Sequence, residues 1–480
     1  MAGNIYDTLA IARSGILTHQ TRMNVIAHNI ANVNTSGYHR QQAILGTNPP
    51  NEPDFIHTTR RYSLGTGVKI VDITRAFNET TQKTLLEQTS FLNYQSDLYT
   101  GLSNLQAIMQ ASGDYSLASS LSNFWSAWQD VATNPSDLAM RDVLLEQAGN
   151  VVSTFNMLDV RLASFEEGIC FDNGGGSFTG SAPTAVKDIN NLATQLQTLN
   201  SRIIEAQRMN TSTSDLMDQR DEVVRQLSEK VNISVSSDYT VTIGGEVLVS
   251  GDAKTLNTLD ITSASPITLQ LNGVDITSQV TGGRLGAWLN VATYTDTLHN
   301  RLDTMASELV TAVNTLHTAG FDLNGDEGLE FFLGSSSADI SVNPALYNPA
   351  NSLLSHPELV AAASTRVAPG DPNPGDGANA LAIADLTGAL IPGLNNQTFN
   401  SYFTTITANL GTAIQDAEEQ YNTASTVVNA LTTTIQSETG VNLDEEMMDM
   451  IAAQRAFQSS AKLLSTVDEM IQTILGMGTG

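Results

Sequence analysis

Two stretches at opposite ends of the chain keep the same helical time, and this constrains the fold more than any other feature. From the N-terminus, Ile5, Leu9, Ala12, Ile16, His19, Met23, Ile26, Ile30 and Val33 alternate steps of four and three, the seam of a helix that packs on another helix. Near the C-terminus Leu443, Met447, Met450, Gln454, Phe457, Ala461, Leu464, Asp468, Ile471 and Leu475 repeat the alternation. A second stripe runs beside that one through Ala453, Ala456, Ser460, Leu463, Val467, Met470, Ile474 and Met477. One seam needs one partner, whereas two adjacent seams make a face too wide for a single helix to cover. The C-terminal packing face, with Phe457, Ala461, Leu464, Val467, Ile471 and Ile474 at its centre, is therefore expected to be completed by an assembly. If the chain leaves and returns at one place, its two terminal helices run antiparallel.

Charge agrees with that pairing. Residues 1–75 carry a formal +3, residues 441–480 a formal −4, and the middle the remaining −27 of a total −28. Opposite signs favour a meeting of the ends, although exposed pairs contribute little one at a time. So acidic a chain is a poor partner for the polyanions nucleic acid and anionic membrane, and neither is expected to bind. No apolar run reaches bilayer length, and the first thirty residues lack the apolar block of a cleaved leader. The single Cys170 excludes an internal disulfide framework.

Between the ends the period changes several times. Residues 38–76 are turn-rich and β-tinged, with "NPPNEPDF" and "LGTGVKIVDITRAFN" reading as an extended arm. Residues 78–168 read as three long helices, the third opening after "NPSD", where Ser136 or Asp137 can cap it. "DNGGGSFTGSAP" breaks the pattern, and two helices follow from Thr184 to Lys230. "YTVTIGGEVLV" and "ITLQLNGVDI" are hairpin signals, turning at Gly244–Gly245 and Asn272–Gly273. Long helices then run from Trp288 to about His317 and from about Phe399 to Gln436, separated by a loop-rich stretch. The expected fold is mainly α, a long helical bundle with the terminal helices paired as a coiled coil and a small inserted β domain. Its expected parts are 1–76 with 437–480 (terminal helices and arm), 77–230 with 286–436 (long helices), and 231–285 (inserted β domain).

Chemistry is sparse. The seven histidines are scattered, and no HExxH, GxSxG or P-loop occurs. Glu166 with Glu167 and Glu418 with Glu419 read as solvated helix faces rather than acid/base pairs. "DLNGDEGLE" places Asp322, Asn324 and Asp326 at the first, third and fifth positions of a calcium loop. Glu327 then stands where the turn glycine belongs and Leu333 where the bidentate glutamate belongs, so a turn is the better account. The reading is no catalytic site, no metal and no cofactor.

One stretch carries a resemblance. "HNIANVNTSGY", from His28 to Tyr38, is similar to the "NNIANVNTxGY" signature of the bacterial flagellar axial proteins, the rod, hook and hook-associated proteins, with histidine in place of the first asparagine. The blocks "GTGVKIVDITRAFN", "ATNPSDLAMRDVLLEQA", "SDLMDQRDEVVRQLSEKVNISV", "AGFDLNGDEGLEFF" and "GVNLDEEMMDMIAAQRAFQSSAKLLSTVDEMIQTIL" narrow it to the hook-associated proteins of the hook–filament junction. The resemblance implies a structural, non-enzymatic protein that forms a ring with copies of itself. It implies as partners the hook protein, a second junction protein (hook-associated protein 3), and a small export chaperone at the C-terminal helix. It also implies an extracellular place in the flagellum, reached by type III export without a cleaved signal peptide. The alternatives are another axial protein, hook or distal rod, or a flagellar murein hydrolase. The family motif spans Asn29, Ile30, Ala31, Asn32, Val33, Asn34, Thr35, Gly37 and Tyr38. Asn29 and Asn32 share a helix face, Asn34 and Gly37 sit where left-handed backbone ends a helix, and Tyr38 can pin the exit. Two roles stand open for these residues, helix termination and subunit contact.

Overall fold

A computed structural model describes residues 2–35, 37–49, 65–110, 116–348 and 355–478, and the side chains of these except 2–5 and 477–478. The side chains of Ile5 and Met477, Ser36, and most of "NPPNEPDF" thus lie outside the described residues. The fold is mainly α. In chain order come α1 (Ala2–Ala31), β1 (Gln41–Thr47), β2 (Val68–Arg75), α2 (Glu79–Met109), α3 (Leu117–Thr133), α4 (Leu138–Ile169), β3 (Phe171–Asp172), β4 (Phe178–Thr179), α5 (Ser181–Arg208) and α6 (Ser214–Lys230). There follow β5 (Ser234–Val235), β6 (Val241–Ile243), β7 (Glu246–Val249), β8 (Leu259–Ala264), β9 (Ile267–Leu271), β10 (Val274–Asp275), α7 (Gly283–His317), β11 (Phe332–Leu333), β12 (Ser341–Val342), α8 (Ala378–Ala384), α9 (Phe399–Thr439) and α10 (Leu443–Gly478). Strands pair only as short antiparallel ribbons of two or three.

Packing groups the chain into two compact units, 1–90 with 189–258 and 424–480, and 91–188 with 259–423. In the first unit α1 packs along α10, and the β1–β2 ribbon lies on α1. The ribbon is the expected arm: Gln41 pairs with Arg75 and Thr47 with Val68. Thr18 and Ser14 of α1 hold its far end through Thr18 Oγ1 to Val68 O at 3.0 Å and Val68 N to Ser14 Oγ at 3.3 Å. Residues 231–285, expected as one β domain, instead hold two three-stranded sheets. The β5–β6–β7 sheet belongs to the first unit and the β8–β9–β10 sheet to the second. Both hairpins turn as their residue types require, with positive φ at Gly244 (60°) and Gly245 (90°) and at Asn272 (54°) and Gly273 (78°).

The second unit has an aromatic core. Phe124, Trp128, Phe331, Phe332 and Phe399 are fully buried, with ring centroids 4.9–6.3 Å apart among the neighbouring pairs of Phe124, Trp128, Phe331 and Phe332. Asp137 caps α4 by accepting from Ala139 N at 2.8 Å, and Arg141 one turn on is buried among carbonyls. Its guanidinium donates to Pro135 O at 2.8 Å, to Pro357 O at 3.3 Å and to Val360 O, and burial lowers its pKa to about 10. Asp322 spends its carboxylate on the backbone N–H groups of Asn324 and Asp326, at 2.8 and 2.9 Å, as the turn reading has it. Among the described residues no group of His, Cys, Asp and Glu is placed to hold a metal, and no helix is long and apolar enough to cross a membrane.

His317 closes this core at the end of α7. Its Nδ1–H donates to Leu329 O at 2.6 Å while Nε2 accepts from Ala361 N at 2.9 Å, so the ring is held neutral. Burial lowers its pKa from 6.5 to about 4. The unfolded chain therefore binds a proton that the folded chain refuses between those values, and stability falls as pH drops through that window. The expected loss attributable to His317 is on the order of 3 kcal/mol from pH 7 to pH 4. Denaturant unfolding at the two pH values checks it: His317→Gln lowers stability at pH 7 but shows a distinctly shallower acid loss than the native chain.

Candidate assembly site

The site is built around Asn29, in the last turn of α1. A buried asparagine is costly unless its two donors and two acceptors are all used. Here they are. Nδ2 donates to Gln41 O at 2.9 Å and to Glu446 Oε2 at 3.0 Å, and Oδ1 accepts from Gln41 N at 3.0 Å and from the Tyr38 hydroxyl at 2.8 Å. Asn29 is 1% exposed, and Glu446, on the first turn of α10, likewise 1%. Glu446 also accepts from Arg40 Nε at 2.6 Å. Four segments thus meet on one amide: α1, the turn after it, β1 and α10.

The turn between Asn29 and Gln41 is shaped to return the chain. Asn32 Nδ2 bonds back to His28 O at 3.0 Å and Thr35 Oγ1 to Asn32 Oδ1 at 3.2 Å, and Gly37 takes φ 75°. Asn34, expected to share the left-handed role, has no positive φ; the reversal is made at Gly37. Tyr38 does pin the exit, contacting His28 Nδ1 at 3.0 Å as well as Asn29. Burial first, and then Asp215, Asp218 and Glu446, push its hydroxyl pKa well up, so it stays a donor. Ile30 and Val33 are half-buried, while Ala31, Asn34, Thr35 and Gly37 are exposed.

A second set of charges anchors the turn to α6. His39 Nδ1 meets Asp218 Oδ1 at 2.8 Å, Arg75 Nη1 meets Asp218 Oδ1 at 2.8 Å and Asp221 Oδ2 at 2.6 Å, and Gln41 Nε2 donates to Asp215 Oδ1 at 2.6 Å. Burial raises the pKa of Asp221, opposed by Arg75 and Arg220. The guanidinium of Arg220 lies 3.3 Å from the centroid of the Tyr239 ring. The signal was present in "SDLMDQRD", whose Asp215, Asp218 and Asp221 are three apart on one helix face, but nothing local names their cations.

On α10 the buried seam follows neither sequence stripe. It runs through Glu446, Met450, Ala453, Phe457, Ser460, Leu464, Val467 and Ile471, taking alternate members of each. Of the expected packing face, Val467 is buried and Phe457, Ala461, Leu464 and Ile471 are half-buried, while Ile474 is 51% exposed. With Ile474 in the open are Met447, Met448, Ile451, Leu463, Met470 and Leu475, and from α1 Tyr6 and Leu17. The opposite charges of the chain ends do meet, Arg22 with Asp449 at 2.9 Å and Arg40 with Glu445, Glu446 and Asp449.

The chain ends are paired and locked by a polar node, and apolar side chains of α10 are left in water, the kind of surface that self-assembling subunits carry. Residues 9–39 match the family described as Flagella basal body rod protein, residues 102–332 Flagellar hook-associated protein FlgK helical domain, and residues 434–477 Flagellar basal body rod FlgEFG protein C-terminal. Flagellar hook-associated protein 1 of Bacillus subtilis is 25% identical over 521 residues, covering 98% of each chain. That of Salmonella typhimurium is 24% identical over 567 residues, covering 97% of this chain and 99% of its own. The structure of the flagellar hook junction protein FlgK from Burkholderia pseudomallei shares the fold, with TM-score 0.58 at 15% identity, covering 74% of this chain and all of that one. The chain is thus similar over nearly its whole length to the hook-associated protein 1 family of flagellar axial proteins. That family is structural, which removes the murein hydrolase alternative.

The charge cluster gives a stability test. Asp218→Ala removes the carboxylate that His39 meets and leaves the buried Arg75 with Asp221 alone, a change expected to cost about 3 kcal/mol, the low end of the range because Arg75 keeps Asp221. Denaturant unfolding measures it, and a loss below about 1 kcal/mol would mean that the cluster is solvated.

Proposed function

We propose that this chain is a structural subunit of the junction between flagellar hook and filament, and that residues 1–76 and 437–480 are the part that assembles. The observation that carries the reading is the set of apolar side chains left exposed along α10, from Met447 (57% exposed) and Ile451 to Leu463, Met470, Ile474 and Leu475. Each such side chain contributes roughly 1.5–3 kcal/mol when fully buried, and inside one chain α1 covers only one side of the helix. Neighbouring copies in a ring supply the missing side. Full-length agreement with hook-associated protein 1 supports the junction over a place in the hook or distal rod.

The proposed partners are the hook protein below and a second junction protein, hook-associated protein 3, above. Before export, a small chaperone on the C-terminal helix would keep the same apolar side chains from self-association. The place of action is extracellular, reached by type III export without a cleaved signal peptide.

Deleting the gene is expected to leave hooks without filaments and filament subunits free in the medium, seen by electron microscopy and by blotting of the supernatant; normal filaments would refute the junction. A finer test separates folding from assembly. Ile451→Glu with Ile474→Glu changes exposed positions only, so monomer stability should shift by less than about 1 kcal/mol, while complementation of the deletion is lost. Full complementation by the double variant would mean that these side chains are not at an interface.

A further inference from the structure

The seam between α1 and α10 does not set its own register. Gly15 lies against Ser460, where a Cβ on Gly15 would come 2.6 Å from the serine Oγ, and Asn29 lies against Glu446. Fourteen residues separate the two points on each helix, so one antiparallel register holds over two heptads. Between them the buried side chains are Thr18, Val25 and Ile26 on α1 and Ala453 on α10, most of them apolar. A slide by seven residues, about 10.5 Å, would set Gly15 against Val467 or Ala453 and bury apolar surface of much the same kind.

The polar node tolerates no such slide. One direction sets Asn29 against Ala453 and leaves the second proton of its buried Nδ2, and Arg40 Nε, without the Glu446 carboxylate. The other carries Glu446 toward Arg22 and leaves Asn29 beyond the first residue of α10, Leu443, while Arg40 Nε loses its acceptor. Either way a buried amide or carboxylate is unpaired, the most costly local defect available to this unit.

We infer that Asn29 and Glu446 are the register key of the terminal helix pair, and that they act by penalising every alignment except one. Consequently the apolar side chains that stay exposed, Leu17 on α1 and Met447 and Ile451 on α10, are held in one fixed relation for the next subunit to meet. This last consequence rests on the assembly reading, whereas the register itself is a property of the single chain and is measured without it.

Disulfide trapping on the soluble full-length chain provides the test. In a Cys170→Ala background, Gly15→Cys is combined in turn with Ser460→Cys, Ala453→Cys or Val467→Cys, and the oxidised product is quantified for each. The native node should give the 15–460 product alone. Replacing both partners, Asn29→Leu with Glu446→Leu, removes the hydrogen bond that ties α1 to α10 and makes both facing positions apolar, so the 15–460 product should fall severalfold as 15–453 or 15–467 appears. Glu446→Gln, which keeps an acceptor for the Asn29 amide, should stay at 15–460. Far-UV circular dichroism reports that the helices of each variant have formed, and Trp125, Trp128 and Trp288, all in the second unit, report by fluorescence that this unit is unchanged. Exclusive 15–460 product in the double-leucine variant, or no product at any of the three positions, would overturn the inference.

Discussion

A single buried carboxylate, Glu446, sets the terms for the first unit. Taking an ionised group out of water costs several kcal/mol, and only dense compensation makes it tolerable. Arg40 Nε and the Asn29 amide supply it. Once Asn29 is committed to Glu446, its carbonyl and second amide proton fall to Tyr38 and to both backbone groups of Gln41, which fixes where β1 begins. The end of α1, the reversal at Gly37, the first residue of the arm and the start of α10 are thus consequences of satisfying one acid. Within the asparagine-rich motif, Asn29 and Asn32 are used internally, and Asn34 and Thr35 remain exposed at the turn.

Charge is divided unevenly between the two units. The second unit has six Lys and Arg against 28 Asp and Glu, a formal −22, and the first has 16 against 22, a formal −6. Copies brought together therefore repel through the second unit far more than through the first. One of the second unit's few cations, Arg141, is spent on backbone carbonyls in the interior and offsets nothing at the surface. Association through the terminal pair is favoured both by what is uncovered there and by what is repelled elsewhere.

Much of this was legible from local pattern. Helix periodicity, the Asp137 cap and both glycine-bearing hairpin turns appear where residue type and spacing put them, because each is decided within a few residues. What the sequence hid is long-range. Asp218 meets His39 across 179 positions and Glu446 meets Asn29 across 417, and no local rule pairs them. The two stripes on α10 were read as two seams, yet one seam takes members of both: α1 settles between the stripes, and their outer members stay in water. The β stretch 231–285 was read as one domain because its hairpins adjoin in sequence; packing assigns their sheets to different units.

The central claim is that the exposed apolar side chains of α10 are wet in the free subunit and dry in the flagellum. Cysteine labelling tests it directly. The native Cys170 is buried, and burial with the nearby Asp172 raises its pKa to about 11, so it is a silent background. A chain carrying Met447→Cys or Ile474→Cys should react with a maleimide at the rate of a free thiol as a purified monomer and be protected in isolated hook–filament structures. Protection in a verified monomer, or equal reactivity in both states, would contradict the account.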